Sequence, residues 1–384
     1  MKKKILFVID TLTIGGANSS VSALYAEMKD YYDMNVFALT HDGDVSSHGF
    51  RDILLPKDML TDAYFGDFAK ASNKLKAFKF IVKIVKRLSI FLHINIEKTI
   101  YKYAVKKIER YNTFDNVVAF QEDASALFVS LFSCKKKIAW IHCDFTRGYP
   151  SSNARIYHYF NKIVFVSHYT ELQFLMKYPH YKGKTCFAYN FLDESRIERL
   201  SHAPILDIQF SDREFTVLSL GRIVPLKRFS KIPSIVARIK SKGINLKWII
   251  IGPVFDEAEH KRLMDNINKY DVRDSVTWLG GKSNPYPYMK RAYLCVSLST
   301  TEACPMVFNE ARVLNVPIVT TDFGSAHEFV TDGVDGYIRP IEKIPDVISD
   351  ICLDLGKYQN LHKNSVPKYI VNNEIKLKLI SILN

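Results

Sequence analysis

Short apolar runs recur along this chain with amphipathic stretches between them, and that alternation limits the fold more than any other feature. The runs at 5–9, 34–39, 116–120, 137–142 and 162–166 read as buried strands. In the second half, strand-like runs at 216–220, 246–251, 275–279 and 294–298 alternate with helical patterns at 229–242 and 256–270. Such alternation predicts an α/β class with parallel sheets and helices on both faces. Gly15 and Gly16 follow the first strand and precede a helix expected over 17–29, as in a nucleotide-type βα unit. Residues 191–211 carry Asp, Ser and Pro and lose the strand pattern, which places the hinge there. The expected organisation is a first domain at 1–195, a second at 196–365, and a segment at 366–384 whose helix is free to pack back on the first.

With 384 residues, 47% of them hydrophobic, the chain can build two cores, which excludes a single small binding module. Its six cysteines show no C-x-x-C spacing, so reduced, buried thiols and a cytoplasmic location are expected. Lys2, Lys3 and Lys4 lead into only five apolar residues before Asp10, unlike a signal peptide. No run reaches the roughly 18 apolar residues of a membrane span.

The formal charge is +13, and most of it is local: residues 70–110 hold twelve Lys or Arg against Glu97 and Glu109. Leu75, Phe78, Val82 and Val85 follow helical spacing, as do Lys79, Lys83 and Lys86, giving an apolar face beside a basic one. This pattern fits both a solvated basic face over core contacts and a helix lying on an anionic membrane surface. No recognisable nucleic-acid motif accompanies it, so nucleic acid is not the expected partner.

Glu302 and Glu310 sit eight residues apart, and a strand-like run at 316–322 follows. Pro305 is suited to open a helix at its first position, and Asn315 with Pro317 supplies a stop. Glu302 is then expected in the loop before the helix and Glu310 on its second turn, beside N–H groups that favour a phosphate. Gly221, Arg222 and Lys227 follow the first strand of the second half, at the end of an open sheet where ligands bind. Two cations converging there would neutralise a pyrophosphate and the charge on a departing phosphate.

These residues resemble the retaining glycosyltransferases of GT-B fold that share a Glu-x7-Glu motif. The resemblance rests on Gly221-Arg222 with Lys227, on Glu302 with Glu310-Ala311, on residues 317–322, and on Glu328 with 332–336. It implies two Rossmann-like domains facing an interdomain cleft, the second holding a nucleotide-sugar donor and the first a glycan acceptor. By resemblance Arg222 and Lys227 bind the donor diphosphate, Glu310 the ribose and Glu302 the sugar, with Met306 and Val307 at the donor and Gly15 and Gly16 at the ligand. A histidine ending the strand at 137–142 contacts the donor sugar in that family, which makes His142 the candidate; Asp144 is a weaker candidate for the acceptor hydroxyl. Two positions depart from the family pattern: Ala303 follows the first glutamate where glycine is common, and Asn18 replaces a frequent acidic residue.

Ser325 and Glu328 have capping-box spacing, and His168 reads as structural. Asp42-Gly43-Asp44 reads as a turn rather than a metal site. The resemblance implies metal-independent transfer with no cofactor beyond the nucleotide-sugar substrate, a UDP-sugar being favoured. Together with the basic segment at 70–110, it suggests a lipid-linked acceptor in bacterial polysaccharide or cell-surface glycan assembly, reached from the inner face of the plasma membrane. The altered loop at 303–305 supports an alternative, a catalytically silent GT-B-like subunit that scaffolds a partner transferase.

Overall fold

The computed structural model describes residues 2–11, 16–40, 64–65, 72–76, 80, 82, 96–144, 151–211, 213–366 and 372–384. The chain divides into two units: Met1–Phe191 together with Ile375–Asn384, and Leu192–Glu374.

The first unit is built on a parallel sheet of β1 (Lys4–Thr11), β2 (Asp33–Thr40), β3 (Asn116–Ala119), β4 (Lys136–Ile141), β5 (Lys162–Phe165) and β6 (Thr185–Phe187), in the order β2-β1-β3-β4-β5-β6. Strand β1 is apolar on both faces because both are covered, and Ile5 through Ile9 are fully buried. The order reverses beside β1, which pairs with β2 on one side and with β3 on the other. The C-terminal ends of β1 and β3 therefore flank the crevice that open α/β sheets use for ligands. One face packs Val8, Phe37, Tyr101 and Phe128, with the Phe37 and Phe128 rings stacked at 5.4 Å.

Helix Ile96–Tyr111 turns Ile100, Ala104, Val105 and Ile108 into this core and leaves Lys98, Lys102, Lys106 and Arg110 exposed. Within 96–110, then, the positive charge is a solvated face over core contacts. Phe78, Lys79, Lys83, Val85 and Lys86, which carry the membrane-facing reading, lie outside the described residues, as do Asp42, Gly43 and Asp44. No described helix is long and apolar enough to cross a membrane. The helix Asn372–Leu383 belongs to this first unit from Ile375 onward: the buried Asn116 amide donates to the Leu383 carbonyl, and Lys376 pairs with Glu27 at 2.6 Å.

The second unit has β7 (Phe215–Leu220), β8 (Leu246–Ile251), β9 (Val276–Trp278), β10 (Leu294–Ser297), β11 (Ile318–Thr320) and β12 (Gly336–Ile338), all parallel, in the order β12-β11-β10-β7-β8-β9. Its switch point lies between β7 and β10. Trp248 is fully buried, and its indole N–H is satisfied by Ser219 Oγ at 3.0 Å, which in turn donates to the Val296 carbonyl at 2.6 Å. The expected helix at 229–242 opens as a tighter turn, Phe229–Lys231, before the α-helix Ile232–Lys240.

Candidate active site

In the second unit, the loops leaving β7 and β10 at the switch point are fastened together. Arg228 adopts a left-handed backbone (φ 51°) and donates to the Leu298 carbonyl at 2.5 Å and the Ser299 carbonyl at 3.0 Å. The Thr300 N–H donates to the Leu226 carbonyl at 2.9 Å, and Thr321 Oγ1 holds the Ser299 carbonyl at 2.6 Å. Gly221, at φ 145°, approaches the neighbouring strand end so closely that a Cβ on Gly252 would lie 1.7 Å from its carbonyl oxygen. Only glycine allows that approach.

This fastening brings Lys227 and Glu302 together. The Lys227 ammonium donates to Glu302 Oε1, and Ser299 Oγ donates to the same oxygen at 2.7 Å. Both side chains keep partial exposure, 23% for Lys227 and 17% for Glu302, so the pair is held in place yet reachable. Arg222 is not part of this ion pair: it is exposed, with its guanidinium over the Phe255 ring at 5.0 Å.

Pro305 proves to be the N-cap of the helix rather than its first residue, and the helix runs Met306–Val313 with Met306 and Val307 opening it. Asn315 ends this stretch in the left-handed conformation (φ 58°). Glu310 lies on the second turn as expected, with a partner of its own: Tyr286 Oη donates to Glu310 Oε1 at 3.2 Å. Burial pushes the Glu310 carboxyl up to about 7, opposed by the Tyr286 hydrogen bond and by the charge of Arg196. The capping-box reading of Ser325 fails. Its side chain makes no cap bond: its backbone is helical (φ −85°, ψ −2°) where a capping residue is extended, and its hydroxyl donates to the Glu302 backbone carbonyl at 2.7 Å.

In the first unit, Gly15 lies outside the described residues and Gly16 is the first residue of the helix Gly16–Met28. His142 directly follows β4 and packs its ring on Phe120, centroids 4.7 Å apart. Among the described residues its buried Nε2 has no hydrogen-bond partner, and burial holds the imidazole down at about 3, hence neutral. Its main chain is anchored by a residue the sequence reading passed over. Glu122, 8% exposed, accepts from the backbone N–H of His142 and, at 2.7 Å, from that of Cys143. Burial raises Glu122 to about 7. Asp10, at the end of β1, accepts from the Ser125 N–H at 2.9 Å and is raised by burial to about 6. His168 opens the helix His168–Lys177 and packs on Phe187 at 5.2 Å.

Residues 207–365 match the family model described as Glycosyl transferases group 1. Over this segment the chain is similar to the group 1 glycosyltransferases. Among curated relatives, the capsular polysaccharide biosynthesis glycosyltransferase CapM of Staphylococcus aureus is 28% identical over 174 residues, 42% of this chain and 42% of that protein. A Campylobacter jejuni N-acetylgalactosamine-N,N'-diacetylbacillosaminyl-diphospho-undecaprenol 4-alpha-N-acetylgalactosaminyltransferase is 26% identical over 179 residues, 46% of each. The chain spans less than half the length of the curated relatives it matches. Among solved structures, Anabaena Alr3699/HepE in complex with UDP and glucose superposes with a TM-score of 0.73 at 16% identity, covering 99% of both chains. The fold is GT-B, and the group 1 segment coincides with the unit that carries Arg222, Lys227, Glu302 and Glu310.

Proposed function

We propose that this chain transfers one sugar from a nucleotide-sugar, a UDP-sugar being favoured, to a glycan acceptor with retention of anomeric configuration. The observation that carries the reading is the Lys227–Glu302 pair at the switch point of the group 1 unit. Lys227 and Arg222 bind the donor diphosphate, Glu302 the sugar and Glu310 the ribose, since a carboxylate accepts two hydrogen bonds from a vicinal diol. Met306 and Val307 offer the free N–H groups of a helix start to the donor. His142, neutral and with no partner for its buried Nε2 among the described residues, serves the donor sugar, and Gly15 and Gly16 serve the ligand on the first unit.

In the step itself, the bond from the anomeric carbon to the donor's phosphate oxygen breaks while the acceptor oxygen bonds to that carbon on the same face. The acceptor proton goes to the departing phosphate, and no protein nucleophile is needed. Lys227 and Arg222 stabilise the charge left on the diphosphate, so no divalent ion is required.

The acceptor is a lipid-linked glycan in bacterial polysaccharide or cell-surface assembly, and the protein works in the cytoplasm at the membrane surface through 70–110. Support comes from the local charge and from the Campylobacter relative, whose name specifies a diphospho-undecaprenol-linked sugar. Sedimentation with anionic liposomes at low salt tests this part; absence of binding removes it.

Incubation with UDP-glucose, UDP-galactose, UDP-GlcNAc and GDP-mannose, with and without EDTA, tests the activity. Release of nucleoside diphosphate from one donor, insensitive to EDTA and lost in Arg222→Ala and Glu310→Ala, is the expected result. A second reading, a silent subunit scaffolding a partner transferase, is favoured by Ala303 in the loop after Glu302. It takes the lead if no donor and no nucleoside diphosphate binds.

A further inference from the structure

We infer that Tyr286 is a positioning residue for the donor, holding the Glu310 carboxylate oriented and ionised for the ribose diol. This rests on the proposed role of Glu310 and adds a residue that no motif marks.

The geometry is specific. Tyr286 is 7% exposed, on a short helix, Tyr286–Arg291, that packs against the helix Glu194–Ser201. Its hydroxyl spends its proton on Glu310 Oε1 at 3.2 Å. A phenol in that position can only donate to an ionised carboxylate, so it favours the charged form and fixes one of its two oxygens. The remaining lone pairs are left for a ligand. Phenylalanine would fill the same space and lose only the hydroxyl.

The groups facing Glu310 come from three elements. Tyr286 approaches from its own helix, and the Arg196 guanidinium from the helix Glu194–Ser201 lowers the carboxyl. Burial raises the Cys295 thiol on β10, and the nearby Glu310 charge adds to the rise. Asp193 acts on Tyr286 rather than on Glu310 directly. Against burial, Tyr286 and Arg196 are the two groups that keep Glu310 charged near neutral pH.

A vicinal diol binds the ionised carboxylate better than the neutral acid, so nucleotide affinity rises as pH climbs through the Glu310 titration near 7 and then levels off. Without the Tyr286 hydroxyl the carboxyl titrates higher, and the plateau is reached at higher pH.

The test is calorimetric titration of the intact protein with uridine and guanosine diphosphates at pH 6, 7 and 8.5, for wild type, Tyr286→Phe and Glu310→Ala, repeated with 2′-deoxyuridine diphosphate. Comparing variants with wild type at each pH cancels titration of the ligand's own phosphates. Tyr286→Phe is expected to weaken uridine diphosphate binding about three- to tenfold at pH 6–7. The loss should shrink at pH 8.5 and largely vanish for the 2′-deoxy ligand, which a merely structural role would not produce. If Glu310→Ala weakens binding while Tyr286→Phe matches wild type at every pH, the inference is overturned and the role of Glu310 stands. If Glu310→Ala binds as wild type does, or neither nucleotide binds wild type, both fall.

Discussion

The Lys227 ammonium and the Glu302 carboxylate are 75 residues apart in sequence and bonded to each other in the fold. Each sits on a loop at the switch point, and Arg228 and Thr300 tie those loops together. The pair joins a cation suited to phosphate and a carboxylate suited to a sugar hydroxyl.

Replacing one member should separate folding from function. Lys227→Met and Glu302→Gln are each expected to cost about 1–2 kcal/mol of stability, because the site is partly exposed and Ser299 still serves Glu302. The proposed sugar transfer should fall at least about a hundredfold in both. Denaturant unfolding alongside steady-state rates checks this, and a rate loss no larger than the stability loss would refute a direct role.

Gly252→Ala should be far more damaging than its size suggests. The added methyl would meet the Gly221 carbonyl oxygen at 1.7 Å, backbone against backbone, with no flexible side chain to yield. A loss of about 3 kcal/mol or more is expected. Thermal melts of this variant beside Gly243→Ala, which meets nothing within 4 Å but strains φ 79°, separate close approach from conformational preference.

Glu122 predicts a pH dependence whose sign is fixed. Its carboxyl titrates near 7 in the fold against an ordinary 4.5, so between those values the folded state keeps a proton the unfolded chain has lost. Its contribution is therefore greatest below 4.5 and is lost as pH rises through 7. Glu122→Gln, which keeps an oxygen for the His142 and Cys143 amides, should gain relative to wild type by on the order of 2 kcal/mol between pH 5 and pH 8. His142, held at about 3, contributes in the opposite direction as pH rises from 3 to 6.5, and it cancels in the comparison. A variant-to-wild-type difference in melting temperature that is flat with pH would rule out titration of Glu122.

Arg312 and Asp335 are both fully buried, with Nη2 and Oδ2 3.3 Å apart. Asp335 also accepts from the Thr331 N–H at 2.7 Å, so the pair pins the turn before β12. Arg312→Met leaves a buried carboxylate without its cation and should cost about 3–5 kcal/mol, while Arg312→Met with Asp335→Asn should recover part of that. Chemical denaturation of the single and double variants measures the recovery.

The sequence carried the strands around β1 and β7 and the positions of Lys227, Glu302 and Glu310, because buried parallel strands are long apolar runs and the motif spacing is local. It missed β6 and β12, which are no shorter than β9 and β11 but sit among glycine and polar residues rather than in a longer apolar run. Glu122 could not be read as the anchor of His142, since the two meet only through the neighbouring of β3 and β4 in the sheet. Ser325 carried the spacing of a cap, but its backbone is helical rather than extended and its hydroxyl donates to the Glu302 carbonyl, neither of which is visible along the chain. Tyr286 belongs to the same class: its partner lies 24 residues on, and only folding shows that the two share a site.

The return of Ile375–Asn384 to the first unit also bears on how the protein is made. About 180 residues of the second unit leave the ribosome between Phe191 and the segment that completes the first. At roughly 5–20 residues per second, that is a wait of about 10–40 s. Through that interval the Asn116 amide lacks the Leu383 carbonyl and Glu27 lacks Lys376. The first unit therefore completes these contacts only after the second has been synthesised.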